Sequence, residues 1–173
     1  MRIREANVND IKGIAGVHLS SWITTYKGII SDSYLASLTL DSRINNWQWT
    51  FNNFNQDELV YVLEDSNDTI VGFSNSGKSR YDEYVYGGEI YALYLLNEFQ
   101  GLGFGQKLFQ ASTESLRTRG YDSMMLWVLE DNPSLGFYLR MGGDVVGKKS
   151  ITIADDNLIE LAVGWKDLKK LEG

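Results

Sequence analysis

Residues 98–107, with the sequence EFQGLGFGQK, carry glycine at every second position from Gly101 to Gly105. The apolar stretch YALYLL precedes them and helix-forming residues follow, so the pattern predicts a strand, a turn and the start of a helix. The first N–H groups of a helix have no partner within it and lie at the positive end of its dipole. Because glycine also lets a ligand approach the main chain, the turn suits a phosphate. A tight turn with close helix–sheet packing explains the glycines equally well.

Composition excludes several kinds of chemistry. The chain has 173 residues, of which 43% are hydrophobic, so we expect one domain spanning residues 1–173. It has no cysteine and one histidine, His18, which argues against disulfides, thiolate nucleophiles and multi-histidine metal sites. A net charge of −7 disfavours nucleic acid as a partner. The charged start MRIREANVND and the lack of a long apolar run predict a cytoplasmic protein with no membrane partner.

Changes in the hydrophobic period along the chain predict the element order β-α-α-β-β-β-α-β-α-β-β. A short strand at residues 3–7 precedes a helix capped by Asn9 or Asp10, and a second helix begins at Ser31 or Asp32. Residues 41–53 are helical or irregular. Period-two alternation predicts strands at 59–65, 69–77 and 88–96. A helix at 103–119, a strand at 121–131, a short helix at 132–141 and a hairpin over 144–165 complete the order.

Two phosphate-binding motifs do not match the glycine turn. A Walker loop needs Gly-Lys-Ser/Thr at its end, whereas Gly105 is followed by Gln106 and Lys107. A dinucleotide fingerprint needs Gly or Ala where this chain has Gln106, and the strands before the turn are arranged as hairpins. A third pattern, Gln/Arg-x-x-Gly-x-Gly/Ala, matches QGLGFG at residues 100–105.

This hexapeptide resembles the acetyl-CoA site of the GNAT superfamily of N-acetyltransferases. The segment EDNPSLGFYLRMGG, residues 130–143, is similar to the second conserved block of that family, and the strand order is similar along nearly the whole chain. Two departures affect packing more than chemistry: residues 141–143 read Met-Gly-Gly instead of Leu-Gly-Phe, and Asn97 stands where proline is common. The resemblance implies a mixed α/β (α+β) fold. Its central sheet would be mostly antiparallel with six to seven strands, the central strands splayed and about four helices flanking them.

The resemblance also implies acetyl-CoA as the cofactor and a set of residues that bind it. The main chain around Leu93 and Leu95 would pair with the pantetheine arm, which Asn132 assists. Arg140 would approach a CoA phosphate, and a solvated helix end explains this arginine equally well. The N–H groups of the glycine turn would bind the pyrophosphate; they belong to Gln100, Gly101, Leu102, Gly103, Phe104 and Gly105.

By the same resemblance, Tyr138 is the general acid that protonates the leaving thiolate, and Glu89 is the base that takes the amine proton through water. A buried structural tyrosine and a solvated strand-edge glutamate are the alternatives for these two. Glu83, Glu130 and Asp131 are substitute bases.

On the acceptor side we expect Trp22, Tyr26 and Tyr84, although Trp22 and Tyr26 have the helical spacing of core residues. His18, on the same helix face as Trp22, fits packing better than catalysis.

The predicted function is transfer of an acetyl group to a primary amine by direct attack, with a small molecule or a peptide as the acceptor. The alternative is a non-catalytic acyl-CoA-binding sensor or regulatory module, which would keep the glycine turn and lose the proton chemistry. A hydrolase is disfavoured because the chain has no G-x-S-x-G motif. The resemblance leaves monomer and homodimer open.

Overall fold

The computed structural model describes residues 1–55 and 57–171, which form a seven-stranded sheet with five α-helices. The strands are β1 (Arg2–Glu5), β2 (Leu59–Glu64), β3 (Ile70–Lys78), β4 (Gly88–Leu95), β5 (Met124–Leu129), β6 (Asp144–Ile153) and β7 (Asp156–Trp165). The helices are α1 (Ile11–Thr25), α2 (Asp32–Ser37), α3 (Leu40–Asn52), α4 (Phe104–Thr118) and α5 (Leu135–Arg140). The predicted mixed α/β fold is confirmed, with one helix more than expected because residues 40–52 form α3.

The sheet has the order β1-β2-β3-β4-β5-β7-β6. Within the described strands, β4 and β5 pair in parallel and the other neighbours pair antiparallel. This arrangement follows from the connections, because hairpins join β2 to β3 and β6 to β7, whereas α4 crosses over between β4 and β5. The crossover places the glycine turn directly after the central strand β4.

Helices cover both faces of the sheet. Val62 and Phe73 pack on one face with residues of α1 and α3, including Ile14 and Trp47. Leu63, the strand neighbour of Val62, packs with Leu108 of α4 on the other face. Alternation along the strands produces this division, since successive side chains of a strand point to opposite faces. None of the helices in the described ranges has both the length and the apolar character needed to cross a membrane.

The start of α1 differs in detail from the prediction. Asn7 caps a short 3-10 turn at Val8–Asp10, its side-chain oxygen accepting from the Asn9 N–H at 3.0 Å. The Asp10 carboxylate accepts from the Asn7 N–H at 2.8 Å, which completes a capping box. Asp10 is the N-cap position of α1, but its side chain makes no capping bond to that helix. The predicted cap position at Asp10 is therefore confirmed, whereas the side-chain capping bonds are made at the 3-10 turn before α1, which the sequence pattern does not predict.

Two buried carboxylates and two arginines anchor β1 to β2 and to the turn before α1. Glu64 is only 3% exposed. Its carboxylate pairs with Arg2 at 2.7 Å and also with Arg4. Arg4 pairs in addition with Asp10 at 2.7 Å. The hydrogen bonds from Arg4, and then those from Arg2, hold the pKa of Glu64 below its usual value. The carboxylate therefore stabilises the fold above about pH 4.3, its unfolded pKa, and this contribution is lost as the pH falls through the lower folded pKa.

We expect Glu64→Gln to lower the free energy of unfolding at pH 7 by about 1.5–3 kcal/mol, since charged hydrogen bonds are lost from a buried site. The difference from the wild type should shrink as the pH falls below about 4, because the Glu64 carboxylate is then protonated in the unfolded chain while the fold still holds it ionised. Urea denaturation at pH 7 and pH 3 measures both effects. Glu114→Gln, which removes an exposed ion pair with Arg117, is the control and should change stability by less than about 0.5 kcal/mol. A Glu64→Gln deficit equally large at pH 3 contradicts the account.

Candidate active site

The two central strands separate soon after they meet. β4 and β5 pair at two positions, Gly88 with Met124 and Glu89 with Met125, and the remainder of β4 has no partner on β5. Meanwhile β5 stays paired with β7 along its whole length, from Met124 to Leu129. The opening between β4 and β5 is a cavity of about 790 Å³. It is lined by both strands, by α1 and α5, and by the glycine turn. The splayed central strands predicted from the sequence are therefore present.

The glycine turn forms one end of this cavity. Gly101 has φ +71° and Gly103 has φ +82°, which is the left-handed region that favours glycine. The first bond of α4 runs from the Lys107 N–H to the Gly103 carbonyl at 3.3 Å. Within the described chain, the N–H groups of residues 103–106 have no main-chain acceptor. The turn thus presents unpaired donors at the positive end of α4, as an anion site requires.

Gln100 has a different part in the turn from the one expected. Its N–H donates to the Asn97 carbonyl at 3.1 Å, and its side-chain Nε2–H donates to the Leu95 carbonyl at 3.0 Å. The Gln100 N–H is therefore already bonded within the turn. Of the N–H groups predicted from the sequence to bind the pyrophosphate, the first is not free to bind it. Gln100 instead ties the turn to the end of β4, and Gln106 extends the open series at the other end.

The other residues assigned to the cofactor fall into two groups. Those that line the cavity are Leu93, Leu95, Gln100, Gly101, Gly103, Gly105, Asn132 and Arg140. The side chains of Leu102 and Phe104 lie outside it, with Leu102 63% exposed and Phe104 packed beside Leu108. These two residues can contribute only main-chain groups to a ligand in the cavity.

Tyr138 and Asn132 lie on the wall formed by α5 and the turn before it. Tyr138 is 7% exposed, and burial, with a smaller effect of Tyr94, raises the pKa of its phenol above the usual value. The phenol therefore keeps its proton at neutral pH, as a general acid requires. The Asn132 Oδ1 accepts from the Ser134 N–H at 2.8 Å, and its Nδ2 lies 3.5 Å from the Tyr26 hydroxyl. Asn132 is thereby fixed between α5 and α1.

Glu89 lies where β4 and β5 begin to part and is 1% exposed. Its Oε2 accepts from the Arg80 N–H at 3.0 Å and from Nε at 3.2 Å, and its Oε1 accepts from Nη2 at 2.6 Å. Since a carboxylate offers about four acceptor positions, roughly one remains for a water molecule. Glu89 lines the cavity, whereas the substitute bases Glu83, Glu130 and Asp131 are exposed outside it.

Hydroxyl and indole groups meet on the acceptor side. The Trp22 Nε1–H donates to the Tyr94 hydroxyl at 3.0 Å, and the Tyr26 and Tyr94 hydroxyls lie 3.2 Å apart. All three side chains line the cavity. Tyr84 does not: its ring packs edge-on against Trp127 at 5.6 Å, so it supports the wall from behind.

His18 also lines the cavity, but it accepts a hydrogen bond from Trp47 at 3.2 Å and stacks on Tyr94. Burial lowers its pKa to about 3, so the ring is neutral and packed, in line with the interpretation from the sequence. In the described residues, no three His, Asp or Glu side chains come together as metal ligands.

Sequence reasoning missed several polar residues of the cavity, among them Arg43, Arg80, Tyr94 and Glu160. Arg80 and Arg43 lie in polar stretches without a motif. The sequence does contain a signal for Tyr94. It stands between Leu93 and Leu95 on a strand assigned to the site, so alternation places its side chain on the opposite face of the sheet from theirs.

Comparison with known proteins gives consistent results. The FR47-like protein family matches residues 80–151. An uncharacterized N-acetyltransferase of Bacillus subtilis, YuaI, is 38% identical over 170 residues, which cover 98% of this chain and 95% of that protein. The L-methionine sulfoximine/L-methionine sulfone acetyltransferase of Pseudomonas aeruginosa is 24% identical, with coverage of 84% and 81%.

A solved structure shares the fold. PaiA N-acetyltransferase of Thermoplasma acidophilum, in complex with coenzyme A, superposes with a TM-score of 0.68 at 23% identity, covering 92% of this chain and 96% of that one. The parted strands, the glycine turn and the extent of the match to YuaI lead to one conclusion: this chain belongs to the GNAT superfamily of N-acetyltransferases.

Proposed function

We propose that this protein transfers an acetyl group from acetyl-CoA to a primary amine by direct attack of the amine. The observation that carries the proposal is the opening between β4 and β5 next to the unpaired N–H groups of the glycine turn. The turn would bind the pyrophosphate, and the free edge of β4 near Leu93 would pair with the pantetheine arm. PaiA, crystallised in complex with coenzyme A, supports this cofactor.

The residues around the opening fit the needs of the reaction. Acetyl-CoA supplies an activated acyl group when bound, so the protein needs no covalent nucleophile. It must hold a neutral amine, which costs about 4.6 kcal/mol at pH 7 for an amine with a pKa near 10.4. Glu89 takes the amine proton through a water molecule at its remaining acceptor position, and Tyr138 donates its phenolic proton to the departing sulfur.

The acceptor enters beside Trp22 and Tyr26, where α1 meets the cavity. The Pseudomonas aeruginosa relative is named for L-methionine sulfoximine and L-methionine sulfone, which supports a small-molecule amine. Release of CoA, measured against a panel of amines, amino acids and peptides, tests the function. Turnover of at least one acceptor is expected. If the protein binds acetyl-CoA but turns over no acceptor, the alternative of a non-catalytic acyl-CoA-binding sensor is supported instead.

Glu89→Gln should lower kcat/KM for the amine by about 10²-fold at pH 7, which is a typical effect of a general base. The deficit should shrink as the pH rises toward 10, because more of the amine is then neutral in solution and needs no base. A pH profile of kcat/KM for the wild type and the variant measures this.

The matched control is Glu83→Gln, because Glu83 is exposed outside the cavity and should tolerate the change. A Glu89→Gln deficit that stays constant with pH indicates that Glu89 only holds Arg80 in place. If kcat/KM falls in Glu83→Gln and does not fall in Glu89→Gln, Glu89 is not the base.

A further inference from the structure

Arg43 occupies the acceptor side of the cavity. It lies in the first turn of α3, which packs against α1, and it lines the cavity together with Trp22, Tyr26 and Tyr94. Its guanidinium sits over the Trp22 ring, 4.7 Å from the centroid. The indole of Trp22 is bonded in turn to the Tyr94 hydroxyl at 3.0 Å. Arg43 is thereby fixed next to the aromatic groups that lead toward Asn132 and Tyr138.

The guanidinium of Arg43 has no polar partner within the described chain. Its Nε and Nη2 are both shielded from solvent and neither makes a hydrogen bond. Other buried ions of this protein are compensated: Arg4 pairs with Asp10 and Glu64, and Glu89 pairs with Arg80. Two shielded donor atoms without partners destabilise the protein, because their lost hydration is not replaced.

The other charged groups near this wall are already paired. Arg80 binds Glu89, and Glu160 lies 3.5 Å from Lys149. Burial lowers the pKa of Arg43, and the hydroxyls of Tyr94, Tyr34 and Tyr26 act in the opposite direction. Since a guanidinium stays protonated in proteins, the acceptor side carries a fixed and unmatched positive charge. Its planar set of N–H donors matches a carboxylate in a two-bond arrangement.

We propose that Arg43 binds the carboxylate of the acceptor, so that the substrate is an amino acid or another small amine that carries a carboxylate. The assignment rests on the proposed acetyltransferase function for its turnover tests. Arg43 repels the additional positive charges of a polyamine, so spermidine is a poor acceptor. The Trp22 and Tyr26 rings contact the apolar part of the acceptor.

Matched acceptor pairs test this directly. CoA release is measured with the proteinogenic L-amino acids, β-alanine and 4-aminobutyrate, each beside its carboxamide, and with spermidine. The wild type should prefer at least one acid over its amide by on the order of 10- to 100-fold in kcat/KM, the effect of a charged hydrogen-bonded pair. Arg43→Gln should lower kcat/KM for the acid by a similar factor and change that for the amide by less than about threefold, so the preference disappears.

Two controls separate binding from folding. Arg117→Gln, on the exposed face of α4, should leave the preference intact. The KM for acetyl-CoA of Arg43→Gln should stay close to wild type, and its thermal unfolding temperature should be equal to or higher than that of the wild type, since the variant removes an unpaired charge. If Arg43→Gln does not fold, Arg43→Lys replaces it: the charge remains but the planar pair of donors is lost, and the preference should fall partway.

Calorimetric titration of the same acids and amides into the CoA-saturated protein makes the test independent of turnover. Acid binding that Arg43→Gln abolishes, without turnover of any amine, supports the carboxylate site and contradicts the acetyltransferase function. Turnover with no acid preference, or with a preference that survives in Arg43→Gln, overturns the carboxylate site and leaves the function standing. Absence of both turnover and selective binding also overturns the carboxylate site.

Discussion

Replacing Tyr138 with phenylalanine should lower kcat by about 10²-fold or more, while the KM for acetyl-CoA changes by less than about threefold. The phenol lies on the cavity wall, and burial raises its pKa, so it is a protonated donor at neutral pH. Phenylalanine keeps the ring and its packing against Phe137 and removes only the hydroxyl. Steady-state kinetics at saturating acceptor distinguish this loss of chemistry from a loss of binding.

Tyr121→Phe is the matched control for that experiment. Its hydroxyl donates to the Asp57 carboxylate at 2.7 Å, and its side chain does not line the cavity. Tyr121→Phe thus also removes one tyrosine hydroxyl, but at a position away from the cavity. Its kcat should remain at the wild-type value. An unchanged kcat in Tyr138→Phe removes the proton-donor role from Tyr138.

Gly103→Val should weaken acetyl-CoA binding by roughly 10- to 100-fold or more, since one or two charge-assisted main-chain hydrogen bonds would be lost. A Cβ at Gly103 meets no protein atom within 4 Å, so the added side chain would occupy the space beside the unpaired N–H groups. The effect on kcat at saturating acetyl-CoA should be small. Calorimetry of acetyl-CoA binding measures the affinity.

The left-handed φ of +82° at Gly103 also destabilises any residue with a side chain, by about 1–2 kcal/mol. Gly120→Val provides the control for this strain, because Gly120 has φ +90° and an equally open surrounding at the far end of α4. Both variants should lose similar stability, but only Gly103→Val should lose affinity. Equal losses of affinity would assign the effect to strain and contradict a phosphate site at the turn.

Local signals explain why most of the fold could be predicted. Alternation placed β2, β3 and β4, and the glycine turn followed by an apolar period placed α4 within one residue at each end. The sequence does not distinguish a helix from irregular structure at α3, because residues 41–46, DSRINN, are mostly polar. It is stabilised mainly by tertiary packing, in which Trp47 lies edge-on to Phe73 at 5.1 Å. Packing of this kind joins residues distant in sequence and leaves no local pattern.

The same distinction applies to the site. Tyr138, Asn132 and the three glycines of the turn belong to continuous motifs, and all of them line the cavity. Leu102 and Phe104, which lie between the glycines, turn their side chains away from it. Arg80 reaches Glu89 because the loop after β3 returns to it, with the Ser79 N–H donating to the Gly87 carbonyl at 2.8 Å. Tyr84 was expected beside the acceptor but packs on Trp127. A polar loop gives no sequence signal for which of its side chains points inward.

A crystal structure of the complex with CoA is the most direct test of the central claim. We predict phosphate oxygens within about 3 Å of the main-chain nitrogens of residues 103–106, at normal hydrogen-bond distance. We also predict the pantetheine arm between β4 and β5, with its sulfur beside the Tyr138 hydroxyl. Phosphates held elsewhere, with the two strands closed against each other, would contradict the claim.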